Sequence, residues 1–448
     1  MKNYLSDIVQ RFNQENIEVV VETSKAKRVK KRQSVIEDIS TSYQFGGQIR
    51  LYKNNRMYFA VFTDVHYFET IMESLIRFAN FQGNKWNYLT HSSFYESHEP
   101  LTLFPNMEVA DNFGQTIDYL SQKYSVLSES IPLHLDIINY GAISKEKLYL
   151  NSAGKMLSQT FTDHTFSRTC FIRKKGNLRN YTISAGGVSL DKAEAEFDQQ
   201  VDKLVNMYLK DLPIIDVPSG MYDVILDYEF AGTLIHETIG HLAEADNLTS
   251  NLYKELKGKQ VASEILNVCD DPRYKDLKGS YLFDDQGENA QSTVLCNHGA
   301  LCNFLSDRKT SELYDIPITG NSRSINYSHL PLVRMSNLFV QPGETDLDEM
   351  IGNIDYGLFV VGAKSAITNN AQFRISANAG FIIKNGNIIG MTNDIVLSGN
   401  LDTLKSIHSI SRTQKTLTGM FCTKGNQRNL PVSATVPEIK LRCYVEEI

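Results

Sequence analysis

The sequence predicts an α+β protein, with an α/β amino-terminal domain followed by a β-rich carboxy-terminal domain into which one histidine-bearing helix is set. Three observations predict it. Helical and strand periodicities alternate up to about residue 120 of the 448. Short β-branched and aromatic runs, separated by turn-forming residues, fill 130–190 and most of the chain after 215. Apolar residues make up 42% and charged residues 22%, the usage of a globular chain that can bury a large core. Soft boundaries near 120 and 215 divide the chain into 1–120, 121–215 and 216–448.

The elements follow in order. Apolar spacing predicts a helix near 3–14 and a strand over Ile17 to Glu22. A hairpin of Gln48 to Tyr52 and Met57 to Thr63 follows, turning at Asn54-Asn55, and then a helix over Val65 to Phe81 with Ile71, Leu75 and Phe78 on one face. Between the first strand and the hairpin lie six basic residues from Lys25 to Arg32, expected as a solvated loop or as a contact for an acidic peptide or partner. Strands are expected across 130–190, with a turn at Lys175-Gly176-Asn177, and a long helix over roughly 191–210. Farther on, Asn297-His298-Gly299 and Asn385-Gly386 mark two more hairpins.

Charge excludes one class of partner. A formal net charge of -7 offers no basic face to displace counterions, so direct nucleic-acid binding is not expected. The amino-terminal stretch lacks an apolar signal core, and no run of eighteen apolar residues occurs, so neither export nor a membrane is expected and the cytoplasm is the default. Six cysteines without a CxxC pair are too sparse for a disulfide framework. Cys296 and Cys302 flank His298 on a hairpin and lack a fourth ligand, which favours ordinary strand residues. His66, His91, His98, His134, His164 and His408 have no spacing partner.

The chemistry concentrates in YEFAGTLIHETIGHLAEAD, residues 228–246. Histidines four apart on a helix share a face and can hold zinc, with the intervening glutamate as base. Here His236 and His241 are five apart, and at about 100° per residue an ideal α-helix would set them roughly 140° from each other. Widening to about 4.4 residues per turn, as in a π-type bulge, brings them into line. A bulged or broken helix is therefore expected at Ile239 to His241, with Gly240 lowering its cost by carrying no Cβ. The spacing alone leaves open a second reading, two ordinary histidines on different helix faces.

HETIGHLAEAD resembles the helix motif of the TldD/PmbA family, the "modulator of DNA gyrase" proteins, in the TldD branch that carries H-E-x-x-x-H; Glu244 and Asp246 also match. Three further stretches agree in order: DDQGENAQSTVLCNHGAL at 284–301, GNSRSINYSHLPLVRMSNLFVQPG at 320–343, and the late FCTKGNQ, where Lys424 and Gln427 match. Leu242 stands where the family usually has glycine, and Ser433-Ala434-Thr435 replaces a glycine-rich run.

The resemblance implies a zinc-dependent metallopeptidase that cleaves unfolded polypeptides or peptides, with one Zn2+ held by His236, His241 and Cys422 and with Glu237 as the general base. Tyr327, His329 and Arg334 become candidates for substrate binding, or for a buried polar network under the hairpin. It also implies a TldE/PmbA-like partner chain or a homodimer, and peptide substrates such as leader peptides of modified-peptide precursors. The rival expectations are a non-catalytic binding subunit and a regulator acting on a gyrase or toxin-antitoxin system; intact His236, Glu237 and Cys422 speak against the first.

Overall fold

A computed structural model describes residues 1–54, 56–81, 113–174, 177–209, 212–369 and 372–448. His91, His98, Asn55 and the turn residues Lys175-Gly176 lie outside the described residues. Strands β1 (Asn16–Arg32), β2 (Val35–Lys53), β3 (Arg56–Phe62), β4 (Leu133–Asn151), β5 (Met156–Lys174) and β6 (Asn177–Gly187) form one sheet in the order β3-β2-β1-β4-β5-β6. Every pairing in it is antiparallel. Strands from both sides of residue 120 thus hydrogen-bond in a single sheet, β1 beside β4.

Helices α1 (Lys2–Arg11) and α2 (Phe68–Phe81) cover one end of that sheet, where Leu5, Ile8, Phe68 and Met72 pack on Val19, Val21, Ile49 and Leu51. Helices α3 (Phe113–Ser130) and α4 (Leu190–Leu209) cover the other, through Leu120, Leu127, Phe166 and Phe197. Periodicity placed α1, α2 and α4 within a few residues; α3 was not read from it.

The basic run is not a loop. Lys25 to Arg32 continue β1 and pair on both sides, with β2 and with β4. Alternation buries Lys27, Val29 and Lys31 and leaves Arg28 exposed. A long lysine stem can lie along apolar surface while its amine finds a partner: Lys31 donates to Ser121 Oγ at 2.9 Å and sits 5.6 Å from the centre of the Tyr124 ring.

The second sheet is built from β7 (Gly220–Leu226), β8 (Val268–Asp270), β9 (Thr293–Asn297), β10 (Ala300–Leu301), β13 (Asn337–Val340), β14 (Tyr356–Asn369), β15 (Gln372–Lys384), β16 (Asn387–Met391), β17 (Ile395–Gly399), β18 (Ser409–Lys424) and β19 (Gln427–Glu447). β11 (Ser322–Arg323) and β12 (Leu332–Val333) pair separately. The order β19-β17-β15-β14-β7 returns on itself, because β19 also pairs with β7. This closure removes two sheet edges that would otherwise need covering. The hairpins expected at Asn297-His298-Gly299 and Asn385-Gly386 are present, with positive φ at His298, Gly299, Asn385 and Gly386.

Helix α5 (Tyr228–Ile235) packs against β7, β14, β15, β18 and β19 with Phe230, Ala231, Leu234 and Ile235 buried. Its start is fixed by Asp227, whose side chain accepts from Phe230 N at 2.9 Å and from Gly362 N at 2.9 Å. Lys203 balances the charge of that cap at 2.6 Å.

Candidate metal centre

The helix does not run on as α. After Ile235 the five residues His236–Gly240 are π-helical, and the N–H of His241 donates to the carbonyl of His236 five residues back. The widened turn brings the two imidazoles to the same side, ring centres 5.0 Å apart and planes at 81°. The bulge is thus observed, but Gly240 serves it in a different way than expected. Its φ is not left-handed; instead, a Cβ there would stand 2.1 Å from Met335 Sδ and 3.3 Å from Leu338 Cδ1. Glycine is needed because Met335, itself fully buried, lies directly against the backbone.

The third group arrives from β18. Cys422 is 0% exposed and His236 4%, and Cys422 Sγ lies 3.9 Å from His241 Nε2. One ligand atom from each of His236, His241 and Cys422 lies within 4.8 Å of the other two. Among the described residues, this is the only group of three or more histidine, cysteine or acidic side chains so arranged. Cys296 lies in β9, and Cys302 follows directly after β10.

The surroundings orient these donors. Glu244 Oε2 lies 2.9 Å from His241 Nδ1; a carboxylate only accepts, so Nδ1 carries the hydrogen and Nε2 is left facing the thiol. Asn247 Nδ2 and Lys424 Nζ hold the same oxygen at 2.9 and 3.0 Å. Burial opposes ionisation of Glu244, but the charges of His241 and Lys424 outweigh it and keep the carboxyl down at about 2. Burial likewise opposes the Cys422 thiolate, yet the histidine charges and hydrogen bonds draw the thiol well below its ordinary value. Two imidazoles and a thiolate are a donor set that suits zinc.

Glu237 follows His236 and is half-buried, and its side chain has no hydrogen-bond or ion-pair partner among the described residues. Arg334 is 0% exposed and donates from Nη2 to the carbonyl of Cys422 at 2.7 Å, so it anchors the thiol's backbone. Tyr327 and His329 sit on a loop against the amino-terminal sheet. The Tyr327 ring lies where a Cβ on Gly46 would be, 2.3 Å away; Tyr327 N donates to Glu22 at 3.0 Å, and the His329 carbonyl accepts from Gln48 at 3.4 Å. Gln427 ties that loop to the cysteine hairpin, accepting from Ile325 N at 3.1 Å and donating to the Leu330 carbonyl at 2.7 Å. Met335 is the contact that sequence reasoning missed; nothing in local spacing pairs position 335 with position 240.

A π-widened helix that presents two histidines to a buried thiol inside a closed β-sheet defines a candidate metalloprotein. Comparison with known proteins narrows the class. Residues 219–444 match the PmbA/TldA metallopeptidase C-terminal domain, and residues 17–80 match PmbA/TldA metallopeptidase domain 1. The chain belongs to the TldD/PmbA metallopeptidase family. It is 30% identical over 300 residues to a metalloprotease of Methanocaldococcus jannaschii, 66% of each chain. It is also 35% identical to the zinc metalloprotease TldD homolog of Saccharolobus solfataricus, over 50% of this chain and 51% of that one. The crystal structure of TldE from Thermococcus kodakarensis superposes with a TM-score of 0.80 at 19% identity, covering 99% of this chain and 100% of the other; it shares the α+β fold.

Proposed function

We propose that the chain is a zinc-dependent metallopeptidase that cleaves unfolded polypeptides or peptides, including leader peptides of modified-peptide precursors, with one Zn2+ per chain. The observation that carries this reading is the convergence of His236, His241 and Cys422 through the π-helical turn. The zinc metalloprotease of Saccharolobus solfataricus supports the choice of metal.

The two histidine ring nitrogens and the Cys422 sulfur would hold the ion. Zinc, when bound, supplies a Lewis acid that lowers the pKa of water toward neutrality and polarises a carbonyl. Glu237, adjacent to His236 and free of other partners, takes a proton on its carboxylate from the attacking water and returns it to the leaving amine nitrogen. Glu244 keeps the His241 ring turned, Lys424 keeps Glu244 in place, and Arg334 fixes the carbonyl of Cys422. Tyr327 and His329 are the candidates for holding the peptide backbone. Through the TldE-like fold and family, a TldE/PmbA-like partner or a second copy completes the working assembly, in the cytoplasm. No helix among the described residues is long and apolar enough to cross a membrane.

The test is zinc content together with cleavage of an unfolded protein, for wild type, Glu237→Gln and Cys422→Ser, with and without a TldE-like partner. Wild type should hold about one zinc per chain and cleave, Glu237→Gln should keep the metal and lose cleavage, and Cys422→Ser should lose both. A wild type that binds no zinc and does not cleave overturns the reading in favour of a binding subunit, and a Glu237→Gln that cleaves normally overturns Glu237 as the base.

A further inference from the structure

A cavity lined by residues of the amino-terminal sheet and of the second half of the chain has a volume of about 560 Å³, within the range of ligand sites. A second cavity of about 430 Å³ shares Gln159, Thr160, Phe161, Lys275, Ser280 and Tyr281 with it. The two adjoin and form one groove. Seven basic side chains line the larger part against three acidic ones, in a chain whose net charge is -7.

Some of those charges are already balanced. Lys147 pairs with Asp285, Lys278 with Asp163 at 3.0 Å, and Lys145 with Glu22 at 3.5 Å. Three others have no carboxylate within ion-pair distance among the described residues. Arg323 spends its donors on the carbonyls of Met335 and Pro431, and lies 5.1 Å from the centre of the Tyr281 ring. Arg28 and Lys275 are exposed, and their side chains make no hydrogen bond or ion pair to any described residue. Burial also pushes the Asp284 carboxyl up to about 7, so one of the wall's three acids carries only part of a charge near neutrality.

The walls are not only cationic. Phe161, Phe283, Leu430 and Phe421 contribute apolar surface, and Lys278 Nζ sits 4.3 Å from the centre of the Phe421 ring. Phe421 is 39% exposed while its neighbour Cys422 is 0% exposed. One strand therefore turns its thiol to the candidate metal centre and its aromatic ring to the groove.

We propose that this groove is an exosite for an acidic, apolar-containing stretch of the polypeptide substrate, with Arg28 and Lys275 at its rim and Arg323 in its wall supplying the unbalanced charge. The proposal rests on the peptidase reading for the word substrate, and on the groove alone for the binding. It assigns the basic run of β1 a role: alternation along the strand delivers Arg28 to the groove.

The test is anisotropy binding to the full-length Glu237→Gln chain, which is expected not to consume its ligand. The probe is a fluorescein-labelled peptide of glutamate, leucine and phenylalanine, compared with the same peptide carrying lysine for glutamate. The acidic peptide should bind and the basic one should not. Arg28→Glu with Lys275→Glu should weaken the acidic peptide about tenfold at low salt and flatten its salt dependence; both side chains are exposed and make no ion pair, so the substitutions remove no side-chain contact from the fold. Arg28→Gln with Lys275→Gln should fall between. Equal binding of the two peptides, an unchanged affinity after double charge reversal, or displacement by oligodeoxythymidine at lower concentration than by unlabelled acidic peptide overturns the proposal. Acidic peptide that binds but is never cleaved by wild type sinks the peptidase reading and leaves the groove; cleavage without charge preference does the reverse.

Discussion

Gly240→Ala tests the packing that shapes the metal turn. A methyl group at this position would stand 2.1 Å from Met335 Sδ and 3.2 Å from Met335 Cε, where non-bonded heavy atoms settle at about 3.5–4.0 Å. Met335 is fully buried, so relief requires it to move within a filled core, at a cost of about 1–3 kcal/mol. Against this, alanine is favoured over glycine in a helix by about 1 kcal/mol. In the wild-type background the net effect should be destabilising, by up to about 2 kcal/mol. With Met335→Ala in place the clash is gone, and Gly240→Ala should stabilise by up to about 1 kcal/mol. The assay is a double-mutant cycle of urea unfolding, in which contacting residues show coupling and distant ones add. Two destabilisations that simply add, or a Gly240→Ala that stabilises with Met335 present, would refute the close approach of these two residues.

Four further outcomes follow from the same structure. Glu244→Gln removes the charged partner of His241 Nδ1 at 2.9 Å, and zinc affinity measured against a chelator should fall about 10–100-fold with the fold retained. Arg168 meets Asp136 through two contacts of 2.8 Å, both groups buried; Arg168→Ala leaves an uncompensated carboxylate and should cost about 3–5 kcal/mol in urea unfolding. Burial raises the Asp270 carboxyl from 3.8 to about 6, despite hydrogen bonds from Ser336 and Asn321. The folded chain then binds more protons than the unfolded one across that window, so stability falls as pH rises from 4 to 6, by up to about 3 kcal/mol. Asp270→Asn should flatten that part of the profile; an unchanged slope would place its cause elsewhere. Removing Lys424, as Lys424→Met, frees Glu244 and Asp246 together and should weaken zinc binding without emptying the site, again read by chelator competition.

The chemistry of the centre was legible in the sequence because its parts are local or carried by motif. H-E-x-x-x-H offers two candidate donors and a candidate base within six residues, and helical geometry alone says that a shared metal at five-residue spacing needs a wider turn. The structure supplies that turn at His236–Gly240. Asn-Gly and His-Gly turns, and the amphipathic spacing of α1, α2 and α4, were legible for the same reason, since backbone preference and face periodicity act over a few residues. The basic run misled because charge predicts solvent only for a strand without neighbours; between β2 and β4, alternation and long side chains decide the matter.

By itself, then, the sequence determined the α+β class and the family, and it singled out the two candidate donors on the helix. Cys422 came from resemblance, since 181 residues separate it from His241 and no local rule links them. Tertiary structure alone decided that the first six strands share one sheet, that β19 closes the second, that Met335 sets the glycine at 240, and that unbalanced cations from β1 and from the Lys275 and Arg323 segments face one groove. The physical reason is range. Hydrogen-bond ladders and side-chain alternation are written over a few residues, whereas which strand lies beside which, and what fills the space between sheets, is settled by packing among segments hundreds of residues apart.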